Sequence, residues 1–290
     1  MGEMGIDGRT RLVGVIGWPV EHSLSPQMHN AAFDALGMNW RYLPLPVAPD
    51  QIGAALAGLR ALGFVGVNVT IPHKQAVIPY LHDLTEAARA IGAVNTIWVE
   101  KDGQLHGDNT DAYGFLAALR EGGFEPQGAR VAILGAGGSA RAVTYALAMA
   151  GASRVGLWNR TLDRAEAIAR DMSALFPQVA FEAHRLPGGL GFIGGDVNLI
   201  VNCTPVGMWP QVDTSPWPAD LPLPSRCFVM DLIYQPLETR FLAQARAAGA
   251  RTLNGLGMLI HQGAAAFRRW TGVEPPLEVM ARALQIALQA

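Results

Sequence analysis

The chain has 290 residues, a formal net charge of −2, and a composition that is 50% hydrophobic. This length favours about two domains, and the hydrophobic content is sufficient for a sizeable core, which excludes global disorder. The near-neutral charge and the lack of a basic block argue against a nucleic-acid partner.

The termini and cysteines predict a cytoplasmic protein without a membrane partner. Residues 1–10 are polar and contain no signal-peptide apolar region, and no apolar run approaches the ~20 residues that span a bilayer. Two cysteines, Cys203 and Cys227, are too few for a disulfide framework, so we expect buried thiols in a reducing compartment.

The first predicted strand, Leu12–Ile16, leads into a helix that begins near Ser25-Pro26 and ends at Gly37. Ser25 is a natural helix cap at this junction. Together with Ser23, it is also suited to binding an anionic group such as a carboxylate. This segment alone does not separate the two interpretations.

Two further strand–helix units follow. Trp40–Val47 is predicted as a strand at a sheet edge because it contains prolines, and Asp50 precedes a helix to about Leu62. Phe64–Val69 is the next strand, and Thr70–Lys74 then turns into a helix that starts at a proline. This alternation predicts an α/β domain.

Lys74 and Asp111 each follow a predicted strand. Lys74 lies where ligands of open α/β sheets collect, although a solvated lysine is the alternative. Asp111 ends the polar cluster Gly107–Asp111 and precedes the helix Ala112–Leu119, so it is also explained as a charge at a helix N-terminus. No calcium-loop Glu follows and no His or Cys has zinc spacing, so no metal is expected.

The segment Val131–Ser139 predicts a dinucleotide site. An apolar strand runs into Gly135-Ala136-Gly137-Gly138-Ser139, and the helix Arg141–Ala150 follows at once. This order places glycine backbone and helix N–H groups at a diphosphate. An ordinary glycine turn in a parallel sheet is the alternative.

The next strand, Arg154–Trp158, indicates which dinucleotide is bound. NAD-binding folds usually end this strand in an acid that binds the ribose 2′-hydroxyl. Here Asn159-Arg160-Thr161 stands instead, with Arg164 close behind. Guanidinium groups bind a 2′-phosphate well, so the pattern favours NADP; solvated charges opening a helix are the alternative.

The rest of the chain continues the α/β pattern. Strands Asn198–Val201 and Cys227–Met230 end in the polar tails Asn202–Met208 and Asp231–Pro236, on the cofactor side of the sheet. A helix is predicted over residues 238–248, and a last helix from about Pro276.

Several motifs resemble the shikimate dehydrogenase family along nearly the whole chain. They are Gly17-x-Pro19-x-x-His22-Ser23-x-Ser25-Pro26-x-x-His29-Asn30, Asn68-Val69-Thr70-x-Pro72-x-Lys74, Gly107-x-Asn109-Thr110-Asp111-x-x-Gly114, Asn159-Arg160-Thr161, Asn202-x-Thr204-Pro205-x-Gly207-Met208 and Gly255-x-Gly257-Met258-Leu259-x-x-Gln262.

The resemblance implies NADPH-dependent reduction of 3-dehydroshikimate to shikimate. By similarity, Lys74 and Asp111 form the catalytic pair, with Lys74 handling the proton of the reacting oxygen. The implied substrate-binding residues are Ser23, Ser25, Thr70, Lys74, Asn95, Asp111, Tyr234 and Gln262. The implied cofactor-binding residues are Glu86, Gly135, Ala136, Gly137, Gly138, Ser139, Asn159, Arg160, Thr161, Arg164, Leu232 and Gly255.

The resemblance also implies a two-domain α/β fold. Residues 1–110 plus 256–290 would form the substrate-binding catalytic domain, and residues 111–255 a Rossmann-type NADP-binding domain. A homodimer is the habit of the family. The alternatives are a quinate/shikimate dehydrogenase that also uses NAD, and a non-catalytic sensor of a pathway metabolite.

Overall fold

The computed structural model describes residues 5–186, 188, 190, 193 and 196–289 of the chain. They form two compact units: the first holds the described residues up to Gly114 together with those from Leu259 onward, and the second is Phe115–Met258. The sequence analysis placed these boundaries a few residues earlier, at 110/111 and 255/256.

A mixed six-stranded sheet organises the first unit. Its elements up to the first boundary are β1 (Arg11–Gly17), α1 (Ser25–Ala35), β2 (Trp40–Pro46), α2 (Ile52–Ala61), β3 (Gly66–Val69), β4 (Asp83–Leu84), α3 (Glu86–Ile91), β5 (Thr96–Val99), β6 (Leu105–Asp108) and the start of α4 (Asp111–Glu121). The strand order is β2-β1-β3-β5-β6-β4; β1 is parallel to β2 and β3, and β5 is antiparallel to β3 and β6. The carboxyl ends of β1 and β3 therefore share one edge of the sheet.

The edge position of β2 agrees with its prolines, since Pro44 and Pro46 have no N–H to donate to a further strand. One face of the sheet buries an apolar cluster that includes Ile16, Val67 and Ile97. Leu56 and Leu59 of α2 belong to the same cluster, which explains why this helix repeats apolar residues at a helical spacing.

The second unit has the strand order of a dinucleotide-binding fold. Its elements are β7 (Arg130–Leu134), α5 (Gly138–Met149), β8 (Arg154–Asn159), α6 (Leu162–Leu175), β9 (Ala180–Arg185), β10 (Leu199–Asn202), β11 (Phe228–Asp231), α7 (Arg240–Ala247) and β12 (Arg251–Leu253). All six strands are parallel, in the order β12-β11-β10-β7-β8-β9. The order reverses between β7 and β10, which is where such sheets bind dinucleotides. The predicted α/β, Rossmann-type fold is confirmed.

Two C-terminal helices complete the chain: α8 (Leu256–Thr271), most of which lies in the first unit, and α9 (Leu277–Gln289). The Trp270 indole N–H donates to the carbonyl of Ile97 at 3.0 Å, and Arg269 donates to the Asp108 carboxylate at 3.0 Å. The end of α8 is thereby joined to β5 and β6. Among the described residues, no helix has the length and apolar character that crossing a bilayer would require.

The helix predicted after Thr70 is wrong. Residues 71–77 form turns, followed by a 3₁₀ turn at Ile78–Tyr80. The Lys74 carbonyl accepts from the Val94 N–H at 2.7 Å, across to the segment before β5. Pro79 has no N–H with which to continue an α-helical ladder. The segment is therefore held by a tertiary contact instead of by helix bonds.

In the second unit, two strands, β9 and β12, are absent from the sequence analysis. β9 alternates exposed and half-buried residues, and β12 has only three residues. Both lie at the outer edges of the second sheet. Edge strands bury less apolar surface than central ones, so their sequence signal is weak.

Gly66 generates a prediction for the stability of the first unit. A Cβ at this position would overlap the Ile97 carbonyl and the Trp270 indole nitrogen. We expect Gly66→Ala to lower the free energy of unfolding by about 1–3 kcal/mol, measured by urea titration, because a packed contact has no room for a methyl group. Gly58→Ala is the matched control: no atom lies within 4 Å of its Cβ in α2. It should raise stability by about 0.5–1 kcal/mol. Equal effects would contradict the role of Gly66.

Candidate active site

An ion pair between Lys74 and Asp111 lies at the centre of the first unit's polar site. Lys74 Nζ is 2.6 Å from Asp111 Oδ2, and the two side chains are 12% and 6% exposed. Lys74 comes from the turn after β3, and Asp111 is the first residue of α4. Because both charges are largely removed from water, their attraction is stronger than that of a surface pair.

Asn95 orients the carboxylate of this pair. Its side-chain amide donates to Asp111 Oδ1 at 2.8 Å and to Thr110 Oγ1 at 2.9 Å, and its carbonyl oxygen accepts from the Thr110 N–H at 2.7 Å. The Gln262 side-chain oxygen lies 3.3 Å from the same amide. Four residues implied by the resemblance, Lys74, Asn95, Asp111 and Gln262, thus form one connected network.

Side-chain hydrogen bonds hold the residues at the start of α4. Asn109 Oδ1 accepts from the Asp111 N–H at 3.1 Å, and the Asn109 side chain donates to the carbonyl of Ala93 at 2.8 Å. Asp108 accepts from Thr85 at 2.6 Å and from Arg269 at 3.0 Å. Asp108 is therefore paired elsewhere, which leaves Asp111 as the carboxylate that meets Lys74.

Ser23, Ser25 and Thr70 follow the two neighbouring parallel strands β1 and β3. Ser25 is not the N-cap of α1, as one interpretation expected, because it is the first helical residue and Leu24 holds the cap position. Instead, Ser23 Oγ accepts the Ser25 N–H at 3.4 Å. Thr70 comes directly after β3, and its N–H donates to the carbonyl of Ile16 in β1 at 2.9 Å. All three residues therefore follow strands whose carboxyl ends share one edge of the sheet.

The glycine loop of the second unit follows β7. Gly135 has a φ of 109°, and a Cβ there would be 3.1 Å from the Cys203 backbone, so this position favours glycine. Gly137 is the N-cap of α5 and supplies no side-chain cap. Ala136, Gly138 and Ser139 are half-buried. The first N–H groups of α5 are therefore suited to an anionic diphosphate.

The residues after β8 present positive charge. The Asn159 side chain donates to the carbonyl of Thr161 at 2.8 Å, and Thr161 is the N-cap of α6 without a side-chain cap bond. Arg160 and Arg164 are exposed. In the part of the chain that the structure describes, no acidic side chain forms an ion pair with either guanidinium.

Asp231, to which the sequence analysis assigned no role, holds the loops that follow β10 and β11 at the same carboxyl edge of this sheet. Its carboxylate accepts from the Asn202 amide at 2.9 Å, the Ile233 N–H at 3.1 Å and the Thr239 hydroxyl at 2.7 Å. Burial raises the pKa of Asp231 to about 6, although the three donors act in the opposite direction. The signal was an acidic residue directly after the predicted buried strand Cys227–Met230.

Asp231 thereby positions two predicted cofactor residues. The Leu232 N–H donates to the Asn202 carbonyl at 3.0 Å, and the Gly255 N–H donates to the Ile233 carbonyl at 3.0 Å. A Cβ on Gly255 would overlap the Leu232 carbonyl, so the two residues are in direct contact. Tyr234 follows in the same loop and is half-buried.

The structure divides each predicted set between the units. Glu86, the exposed first residue of α3, lies in the first unit, whereas the other predicted cofactor residues lie in the second. Tyr234 lies in the second unit, whereas the other predicted substrate residues lie in the first. Of the two thiols, Cys227 is buried, which raises its pKa to about 11, but Cys203 is only half-buried. Among the described residues, no three His, Cys, Asp or Glu side chains group as metal ligands.

Sequences of known proteins match residue ranges in both units. Residues 15–97 match the shikimate dehydrogenase substrate binding domain, residues 118–185 match shikimate / quinate 5-dehydrogenase, and residues 255–285 match the shikimate 5′-dehydrogenase C-terminal domain. The shikimate dehydrogenase (NADP(+)) of Moorella thermoacetica is 50% identical, over 98% of this chain and 96% of that protein. The chain belongs to the shikimate dehydrogenase family.

Solved shikimate dehydrogenases share this fold. One in complex with NADP+ is 43% identical, with a TM-score of 0.90 over 98% of both chains. The enzyme from Thermus thermophilus, in complex with NADP(H) and shikimate, is 40% identical, with a TM-score of 0.85 over 96% of this chain and 100% of that one.

The buried Asp231 gives this family member a testable pH dependence. Because its folded pKa is raised from an ordinary value near 4, the folded state binds a proton between about pH 4 and pH 6 that the unfolded state does not. The stability that this proton contributes is lost as the pH rises through that window. Asp231→Asn removes the titration and retains groups for all three hydrogen bonds.

We expect the wild-type free energy of unfolding, relative to Asp231→Asn, to fall by on the order of 2 kcal/mol between about pH 4 and pH 7. Urea titrations across this range measure the difference. Asp220→Asn, at an exposed position of the same unit, is the control and should follow the wild type. A constant difference between wild type and Asp231→Asn would show that Asp231 does not titrate in this window.

Proposed function

We propose that this protein catalyses the reversible NADPH-dependent reduction of 3-dehydroshikimate to shikimate, in the chorismate pathway of aromatic amino-acid biosynthesis. The observation that carries the proposal is the Lys74–Asp111 pair at 2.6 Å, held by Asn95, in a chain of the shikimate dehydrogenase family. It supplies a proton donor and its orienting carboxylate in a site that contains neutral hydrogen-bonding side chains.

NADPH, when bound, supplies the hydride that reduces the substrate ketone. As hydride adds to the carbonyl carbon, negative charge develops on its oxygen. The Lys74 ammonium stabilises that charge and transfers a proton to the oxygen, which leaves a hydroxyl group and a neutral amine. The Asp111 carboxylate accepts a hydrogen bond from the Lys74 ammonium at 2.6 Å and thereby holds it in place.

The other proposed substrate-binding residues recognise a small polyhydroxy acid. Ser23 and Ser25 donate to its carboxylate, and Asn95 and Gln262 bind its ring hydroxyls. Thr70 and Tyr234 are the remaining residues of the proposed substrate set. These neutral side chains suit a substrate with one carboxylate and several hydroxyls, because such sites fix orientation with a few well-placed polar groups.

The second unit binds NADP. Gly135, Ala136, Gly137, Gly138 and Ser139 hold the diphosphate at the N-terminus of α5, where N–H groups lack a side-chain cap. Arg160 and Arg164, with Asn159 and Thr161, bind the 2′-phosphate. Leu232, Gly255 and Glu86 are the remaining residues of the proposed cofactor set. On the family resemblance, we place the protein in the cytoplasm as a homodimer.

Initial rates with shikimate and with quinate, each with NADP and with NAD, test the proposed function. We expect shikimate with NADP to be the fastest combination by at least tenfold. Quinate carries an extra hydroxyl near its carboxylate, and we expect Ser23 and Ser25 to favour shikimate at that position. At the end of β8, Asn159 stands where an acid would bind the NAD ribose. Preferred turnover of quinate with NAD would assign the rival activity. Shikimate binding without any turnover would instead identify a sensor.

The role of Lys74 predicts a separate kinetic result. Lys74→Met keeps the length of the side chain but removes its proton, so kcat should fall by about 10²–10⁴ while shikimate binding changes little. Lys101→Met, on the exposed β5–β6 turn, is the matched control because Lys101 is the only other lysine. Near-normal kcat for Lys74→Met would remove Lys74 from the proton transfer.

A further inference from the structure

A third arginine, Arg185, lies on the strand next to the one that leads into Arg160 and Arg164. It is the last residue of β9, the strand that pairs with β8 in parallel. In this register, Arg185 is directly opposite Asn159, and the Leu186 N–H donates to the Asn159 carbonyl at 3.0 Å. The end of β9 is therefore bonded to the start of the Asn159–Arg164 segment.

The register also sets the direction of the side chain. Directly paired residues of neighbouring strands point to the same face of the sheet, with their backbones about 4.8 Å apart. Arg185 thus leaves the sheet on the face of Asn159, at the carboxyl edge, and its side chain is exposed. A guanidinium at this place reaches the space beyond the end of β8.

The charges around Arg185 leave it available to an anion. The nearest acid on its own strand, Glu182, is 3.7 Å from Arg154 and 3.4 Å from His184. Among the described residues, no acidic side chain forms an ion pair with Arg185. The first turn of α6 carries one acid, Asp163. The three guanidinium groups of Arg160, Arg164 and Arg185 outnumber the single carboxylate of Asp163, so this edge carries a net positive charge.

We propose that Arg185 is a third guanidinium of the 2′-phosphate site and a determinant of the selection of NADP over NAD. The inference rests on the proposed function for the position of the cofactor. Arg160 approaches the phosphate from the β8–α6 connection, Arg164 from the first turn of α6, and Arg185 from the neighbouring strand. A phosphate offers several charged oxygens to guanidinium groups, whereas the ribose 2′-hydroxyl of NAD carries no charge.

Dissociation constants for NADPH and NADH, measured by fluorescence titration, test this role. We expect Arg185→Gln to weaken NADPH binding by about fivefold to thirtyfold and to change NADH binding less than about twofold. The NADPH effect should shrink as KCl is raised, because salt screens exposed charges. Arg185→Lys should restore part of the affinity.

Two further variants serve as a positive and a negative control. Arg160→Gln should show the same NADPH-specific loss. Arg226→Gln makes the same charge change at an exposed position just before β11, at the opposite end of the strands, and should leave both constants unchanged.

Three outcomes would overturn the inference. In the first, Arg185→Gln leaves the NADPH constant within about twofold of the wild type. In the second, it weakens NADPH and NADH equally, which would indicate contact with the adenosine shared by both. In the third, the wild type binds both cofactors equally. The proposed reaction is judged separately by shikimate turnover of the wild type, so its failure and that of Arg185 are distinguishable.

Discussion

The contact on which the site of the first unit depends is the short ion pair between Lys74 and Asp111. Removing two charges from water costs several kcal/mol per ion, and their attraction offsets this only when further hydrogen bonds satisfy both groups. Here the second carboxylate oxygen is bound by Asn95, whose own carbonyl oxygen is bound by the Thr110 N–H. The backbone bond from Val94 to the Lys74 carbonyl fixes where the lysine stem begins. These neighbours hold the ammonium and the carboxylate in one arrangement before any ligand binds.

The two units use the same device at different sites. Each places its polar groups after the carboxyl ends of parallel strands, and each holds the connecting loops with a buried amide or carboxylate. Asn95 does this in the first unit, and Asp231 with Asn202 does it in the second. A buried polar network is stable only when its members are satisfied, so these residues set loop positions more tightly than apolar packing would. The three donors lower the pKa of Asp231, but burial outweighs them and raises it to about 6.

Lysine and arginine differ in the chemistry that their side chains can perform, and they occupy different positions in this chain. Only two of the 22 Lys and Arg residues are lysines, and one of the two is Lys74. Arginine does not release its proton in proteins, whereas a lysine ammonium does when its surroundings require it. In the proposed reaction, Lys74 stands where a proton must move. Arginines stand where we infer that a permanent charge binds a phosphate.

Local sequence patterns were enough to predict the fold class, the glycine loop and the cofactor-side motifs, and the family resemblance predicted that Lys74 and Asp111 are partners. These features depend on local order, such as a strand, a glycine turn and a helix in succession, which the chain carries within about twenty residues. Tertiary structure decided the rest. The segment after Thr70 is a turn and not a helix, because a carbonyl bonds to a residue twenty positions away. Asp231 and Arg185 acquire their surroundings from strand pairing, and β9 has too weak an apolar pattern to be recognised alone. Register between strands is a property of contacts distant in sequence, and no local pattern specifies it.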